Sequence, residues 1–241
     1  AEHGAVRVVQ LTMLAMEKIS VERGPSNALM GGDPEALPAL RKRLDAARRD
    51  SDEALFHLLD SLRQEVDPRY APAIRKIEAV RQALGPARER IDQQVGLVRW
   101  QRSSREITEA VDGMVDLIPM LVSSVADLSS IAIRSDPEVL DGLTGMRVAA
   151  SLREYAGQVG SKFTAPVIMQ RPLTKSEVIE IGKLYGRIEQ LRTLLDIQMR
   201  AYKDNAAFRA ALSDLDTQYF GQGFPFLNGL LQTGLLSGSY G

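Results

Sequence analysis

At 241 residues the chain is long enough for one large domain or two small ones. Hydrophobic residues make up 44% and charged residues 25%, enough apolar material for a core and too much for wholesale disorder. Basic and acidic residues balance at 30 and 31, which leaves no electrostatic footprint for nucleic acid. Cysteine is absent, excluding disulfides, thiolate metal sites and a cysteine nucleophile.

Aromatics amount to only 5%. Cores built from Leu, Ala, Val, Ile and Met suit helix packing better than β-sandwiches, which lean on aromatic and β-branched residues. No run reaches the roughly 18 uninterrupted apolar residues of a membrane span, and no signal peptide opens the chain. The sequence starts inside a helical pattern and ends on Gly238-Ser239-Tyr240-Gly241, which reads as a fragment cut from a longer protein.

The first predicted helix runs from about Ala5 to Met30. Val8, Leu11, Ala15, Ile19, Glu22 and Ser26 recur at spacings of 3 and 4, one face of a helix. The last two are polar. Gly24-Pro25 should kink or restart the helix, and Gly31-Gly32-Asp33-Pro34 reads as a turn. A second helix extends to about Val66, with an apolar run through Leu55, Leu58, Leu59 and Leu62. Arg41, Lys42, Arg43, Arg48 and Arg49, answered by Asp45, Asp50, Asp52 and Glu53, read as its solvated face. A third segment from about Tyr70 to Trp100 is cut by Gly85-Pro86 into two expected pieces.

Ile107, Val111, Met114, Ile118, Leu121, Val125, Leu128 and Ala132 alternate spacings of 4 and 3 without a miss. That is a heptad seam, the pattern of bundle packing, in a helix of about 45 Å with a kink at Pro119. Asp136-Pro137 marks the next start, as N-cap and first helical residue. This helix should reach about Phe163, with Pro166 ending or bending its extension. Thr174-Lys175-Ser176-Glu177 is a capping box opening a helix to about Lys203, with Ile181, Leu184, Ile188, Leu191 and Leu195 as its stripe. A last helix starts near Asn205. No segment alternates like a strand. The expected fold is all-α: an elongated four-helix bundle, single or tandem, the whole of 1–241 forming one sensor region in which two stacked bundles share long helices.

Nothing in the chain assembles catalytic chemistry. His3 and His57 stand alone, outside any zinc or di-iron pattern; there is no P-loop and no nucleophile elbow. The reading is a non-enzyme with no cofactor and no metal. Two constellations suggest binding instead. Glu22 lies on the inward stripe, and a buried carboxylate requires a partner, expected to be an arginine from another helix. Ala156, Gly157, Gly160 and Ser161 give a face of minimal bulk, where a backbone or a ligand can come close. Arg187, after Tyr185-Gly186, is a third candidate.

Glu22-Arg23-Gly24 followed by Ser26 resembles the E-R-G-x-S signature of nitrate- and nitrite-sensing (NIT-type) helical domains. Arg153-Glu154-x-x-Gly157, with Arg171-Pro172-Leu173 and Gly186-Arg187 after it, is similar to the second signature of that group. The Tyr219-Phe220-Gly221 stretch and the later Gly238-Ser239-Tyr240 also recur in ectodomains of methyl-accepting chemotaxis receptors, sensor kinases and diguanylate cyclases. About twenty residues carry the resemblance. It implies a periplasmic sensor domain of a bacterial inner-membrane receptor, anchored by segments outside the fragment and paired as a homodimer, with a final helix returning to the membrane beyond Gly241. Val159 and Gly160 stand where the group has Glu and Arg, so the implied ligand is a small anion, a carboxylate or a small polar metabolite rather than nitrate in particular. Arg23, Ser26, Asn27, Arg153, Gly157 and Arg187 are the expected ligand-binding residues, the first three and Arg153 bordering one pocket, with Glu22–Arg153 as a competing structural ion pair. The rival reading is a helical scaffold that binds partner helices through the heptad seam and takes no small molecule.

Overall fold

The computed structural model describes residues 2–201, together with positions 210, 213, 217 and 229. It is 89% helical, and no strand occurs among the described residues. The chain divides into two units, Ala1–Leu143 and Thr144–Gly241. The expected helix from Asn205 and the Tyr219–Phe226 stretch lie largely outside the described residues.

In the first unit α1 spans Glu2–Gly31 and α2 Leu37–Arg63. α3 spans Ala71–Gly96, α4 Ser104–Val115 and α5 Ile118–Ser135. α1 packs on α2 and α5, while α3 packs on α4, α5 and α2. Two expectations are corrected here. Pro86 does not split α3; it lies inside a continuous helix, as Pro25 does in α1. Each proline still removes one intrahelical donor, leaving the carbonyl four residues earlier without its usual partner. The seam segment, by contrast, is two helices rather than one kinked helix. The break falls at Asp116-Leu117 and leaves Pro119 in the first turn of α5, where its missing N–H costs nothing.

Every member of the heptad seam, from Ile107 to Ala132, is buried. The seam is therefore consumed within the unit's own core, alongside Val8, Ile19 and Leu29 of α1 and Ile77, Leu84 and Ile91 of α3. By length and composition Ser104–Ser135 is apolar enough to cross a membrane, but 50% of its apolar window is buried in the protein.

Arg102, in the loop between α3 and α4, ties helix ends together. Its guanidinium donates to the carbonyls of Met30, near the end of α1, and of Val95 and Leu97, at the end of α3. These are last-turn carbonyls that the helices themselves cannot satisfy. Burial, then the neighbouring Arg99, pull the Arg102 pKa down.

The second unit holds α6 (Leu140–Lys162, starting just before the unit boundary), α7 (Thr164–Met169) and α8 (Lys175–Ala201). Asp136 caps its turn as expected, its side chain accepting from the Glu138 amide, but a short 3-10 turn over Pro137–Val139 precedes α6. Leu152, Val159 and Phe163 of α6 pack with Ile181, Leu184, Ile188 and Leu195 of α8. α7 ends on Gln170 in the left-handed region at φ 46, with the Arg171 amide reaching back to the Pro166 carbonyl. The capping box forms as read: the Glu177 amide donates to Thr174 Oγ1, and the Thr174 amide donates to Glu177 Oε1. Arg171 forks onto both Glu177 oxygens at 2.7 and 3.0 Å. Burial would raise the Glu177 carboxyl, yet the bonds from Arg171 and Thr174 outweigh it and hold it below the usual carboxylate range.

Arg102→Met, which keeps bulk but removes the donors, is expected to lower stability by about 2–3 kcal/mol, because buried carbonyls lose their partner; urea unfolding measures it. The Glu177 cap is lost as pH falls. Its folded pKa is depressed, so its contribution is complete above the unfolded value near pH ~4 and fades as pH drops through the lower folded value. Amide exchange at the start of α8 should quicken there, and Glu177→Gln should abolish that pH dependence.

A candidate anion-responsive site around Glu22

Glu22 and Ser26 face inward as their place on the stripe requires, and Glu22 is fully buried. A lone carboxylate there would be forbidding. Its partner is Arg88 of α3, which donates from Nε to one oxygen at 2.7 Å and from Nη2 to the other at 3.0 Å. Arg48 of α2 approaches the first oxygen at 3.7 Å. The expectation of an arginine from another helix holds, and that arginine is Arg88.

The network runs outward from this pair. Arg88 also donates to Asp52 Oδ1 at 2.7 Å and to the Arg48 carbonyl at 3.1 Å. Arg48 forks onto Asp92 of α3 with two bonds of 2.9 Å, and Arg41 reaches the same carboxylate at 3.2 Å. Burial works against the Arg88 charge, but Glu22 and Asp52 together raise its pKa above the ordinary guanidinium value. Burial likewise would raise Asp92, and Arg48 and Arg41 more than offset it, so its pKa falls. Arg48 is therefore not on a solvated face. Its side chain is 16% exposed and joins α2 to both neighbours.

The backbone at this level is unusual in both parallel helices. Gly24-Pro25 follows Glu22 by two residues, and Gly85-Pro86 precedes Arg88 by two. The ion pair thus bridges α1 and α3 where each has a proline interrupting its hydrogen-bond ladder.

The expected site residues separate between the two units. Arg23, Ser26 and Asn27 belong to the first. Arg23 is 3% exposed and lies about 100° round α1 from Glu22, and Asn27 is half-buried. The Ser26 hydroxyl donates to the Glu22 carbonyl of its own helix at 2.9 Å. That spends its proton and leaves it an acceptor, the wrong polarity for holding an anion. Arg153, Gly157 and Arg187 belong to the second unit. Arg153 and Gly157 are half-buried. Arg187 is exposed and stands over the Tyr155 ring, 5.4 Å from its centroid, a cation–π contact. Glu154 is buried and accepts from Gln158 Nε2 at 2.9 Å. Among the described residues, no atom lies within 4 Å of where a Cβ would stand at Gly160.

The sequence expectation puts Arg48 on a solvated face and singles out nothing at Arg88, yet both positions carry a signal. Arg88 follows Leu84 by four and precedes Ile91 by three; Arg48 follows Leu44 by four and precedes Leu55 by seven. Both are bases on apolar stripes, as Glu22 is an acid on one. Pairing inward acids with inward bases finds the network.

Removing one partner of a buried pair strands the other's charge, so Glu22→Ala is expected to cost about 3–5 kcal/mol. Glu22→Leu combined with Arg88→Met should recover most of that loss, since apolar replacements of both partners relieve the desolvation. Chemical denaturation of the three proteins reads the difference.

No protein-family model, no curated protein and no solved structure matches the chain.

Proposed function

We propose that the chain is the ligand-sensing helical module of a bacterial transmembrane receptor, held on the periplasmic side of the inner membrane by segments outside this sequence. In this reading the first unit is a four-helix bundle whose rods are α1, α2, α3 and the broken pair α4–α5. The module has no catalytic role. It senses by a shift between two packings of its helices, which a ligand drives only through a difference in affinity for the two.

The observation that carries the reading is the buried charged cluster of Glu22, Arg88 and Arg48 at the level of two Gly-Pro steps, with buried Arg23 next to Glu22 along α1. A core serving stability alone gains little from buried ion pairs, since apolar residues of similar volume do as well or better. Arginines set beside weak points of two parallel helices suit a different purpose. An incoming small anion or carboxylate competes with Glu22 for guanidinium donors, and exchanging one acceptor for another changes how tightly α1 and α3 are tied. The resemblance of Glu22-Arg23-Gly24-x-Ser26 to the sensor signature supports the same location. The scaffold alternative loses its main support, because the seam it would offer to partner helices is already buried inside the unit.

The test is a thermal-shift series with nitrate, nitrite, sulfate, small dicarboxylates and amino acids. A true ligand at about 100 times its Kd adds roughly 2.7 kcal/mol of stability in a concentration-dependent way. Arg23→Ala should then weaken the responding anion on the order of tenfold or more, the loss of one charged hydrogen bond. Arg48→Lys, which keeps the charge but removes the forked donors of the cluster itself, serves as a second variant should Arg23→Ala fail to fold. A response to none of these compounds, or unchanged affinity in both folded variants, would defeat the proposal.

A further inference from the structure

The end of the first unit where α1 and α3 finish differs from the rest in what it buries. Among the described residues of the unit, every buried charged or amide side chain lies there: Glu22, Arg23, Gln94 and Arg102. Further down, the buried polar side chains are the hydroxyls of Thr12, Ser51, Ser124 and Ser129. The first three of these bond to a carbonyl of their own helix. Apolar packing therefore holds the lower part, and charge holds much of the upper.

At that end α3 and α4 form a hairpin, and each arm has a weak point at its foot. α3 is interrupted at Gly85-Pro86, and the other arm breaks at Asp116-Leu117 with Pro119 just beyond. Pro86 to Gly96 is about 15 Å of helix and Ser104 to Val115 about 18 Å, so the two breaks stand at nearly one height. Between them the hairpin is one body. α4 packs chiefly on α3, and the Arg90 guanidinium of α3 comes within 2.7 Å of where a Cβ on Gly113 of α4 would stand. Arg102 adds its bonds to the Val95 and Leu97 carbonyls. Among the described residues, no atom lies within 4 Å of a Cβ position at Gly85. Packing does not call for glycine there; a joint does.

We propose that residues 87–115 form a lid, hinged at Pro86 and at Asp116-Leu117, which swings away from α1 and α2 with Asp92 as its latch. A swing of about 20° carries Arg88, ~3 Å above Pro86, by ~1 Å, and Asp92, ~9 Å above it, by ~3 Å. The Glu22–Arg88 pair thus persists as the pivot. Asp92 leaves Arg48 and Arg41, and Arg102 leaves the Met30 carbonyl. The latch carboxylate occupies, while the lid is shut, the forked guanidinium that an outside carboxylate would seek. Buried Ile91, Ile107 and Val111 keep the shut state the major one. Two features ease opening. Gln94 Oε1 is buried without a hydrogen-bond partner when the lid is shut and reaches water when it opens. At the end of the lid Val98 and Trp100 are 50% and 83% exposed, so this apolar tip adds nothing to closure. Opening gives solvent a path to Glu22 and Arg23. That an anion takes this path rests on the sensor reading; the motion does not, and it is measured without ligand.

The experiment uses the whole chain, which has no cysteine of its own. Spin labels go on Lys42→Cys in α2 and Gln101→Cys at the end of the lid, both exposed positions. Pulsed dipolar spectroscopy should give one major distance and a minor population about 5 Å longer, the arc of the swing at the lid's end. Asp92→Ala should raise the longer population by about tenfold, the loss of charged hydrogen bonds at the latch. Arg41→Gln, at the 41% exposed side of the same contact, is a milder variant and should act in the same direction. Gly85→Ala with Pro86→Ala restores an unbroken ladder in α3 and should remove the longer population. Labels on Lys42→Cys and Gln82→Cys, the latter below the joint, should give one distance in every variant. A Lys42–Gln101 distance that neither latch variant changes would overturn the proposal. So would an equal lengthening at Gln82, which would mean that the bundle loosens as a whole.

Discussion

A fully buried carboxylate must be answered before any helix in the first unit can pack, and Glu22 sets that requirement. Its answer comes from Arg88, which places α3 against α1 at one height and in one rotation. Arg48 then closes on Glu22 and Asp92 together, fixing α2 between them. Apolar contacts alone would tolerate small slides and rotations of these helices, because leucine and alanine faces match in several registers. A forked guanidinium does not. The register of three helices is thus tied by two acids, Glu22 and Asp92, and two bases, Arg88 and Arg48, and the leucine-rich layers above and below fill in around them.

The same network explains why the two internal prolines are tolerated. A proline inside a helix costs about 3 kcal/mol when nothing compensates. Here both interrupted ladders lie within three residues of the bridging pair, so helix α1 is held across its weak point by helix α3 and the reverse. Stability and compliance are placed at one level of the structure. In the proposed sensor this is what lets a small charged ligand act on long helices.

Much of the fold can be read in the sequence because helices report themselves through period. The seam, the capping box at Thr174–Glu177 and the ends at Asp136 and Phe163 follow from spacing and cap chemistry, which are local. The misreadings have a common cause. Local propensity alone misjudges Gly85-Pro86 and Pro119: packing on neighbouring helices holds α3 together, and a turn at Asp116-Leu117 breaks the helix before Pro119. Arg48 was assigned to solvent because its neighbours in sequence are charged, although its neighbours in space are Glu22 and Asp92. The inward turn of Glu22 was legible; the identity of its partner needed the third dimension. The candidate ligand residues come from two signatures, one in each unit.

Arg102 has a consequence for the electrostatics of one end of the molecule. α1 and α3 finish side by side, and each helix carries about half a negative charge at its C-terminus from aligned peptide dipoles. Two such ends together would make a negative surface that repels anions. The guanidinium of Arg102 sits on the carbonyls of both, so that potential is cancelled inside the protein. What remains outside is the pair of Arg99 and Asp33, 3.8 Å apart and both more than half exposed. The tip of the unit thus presents an ion pair to solvent where the backbone alone would have presented a negative pole.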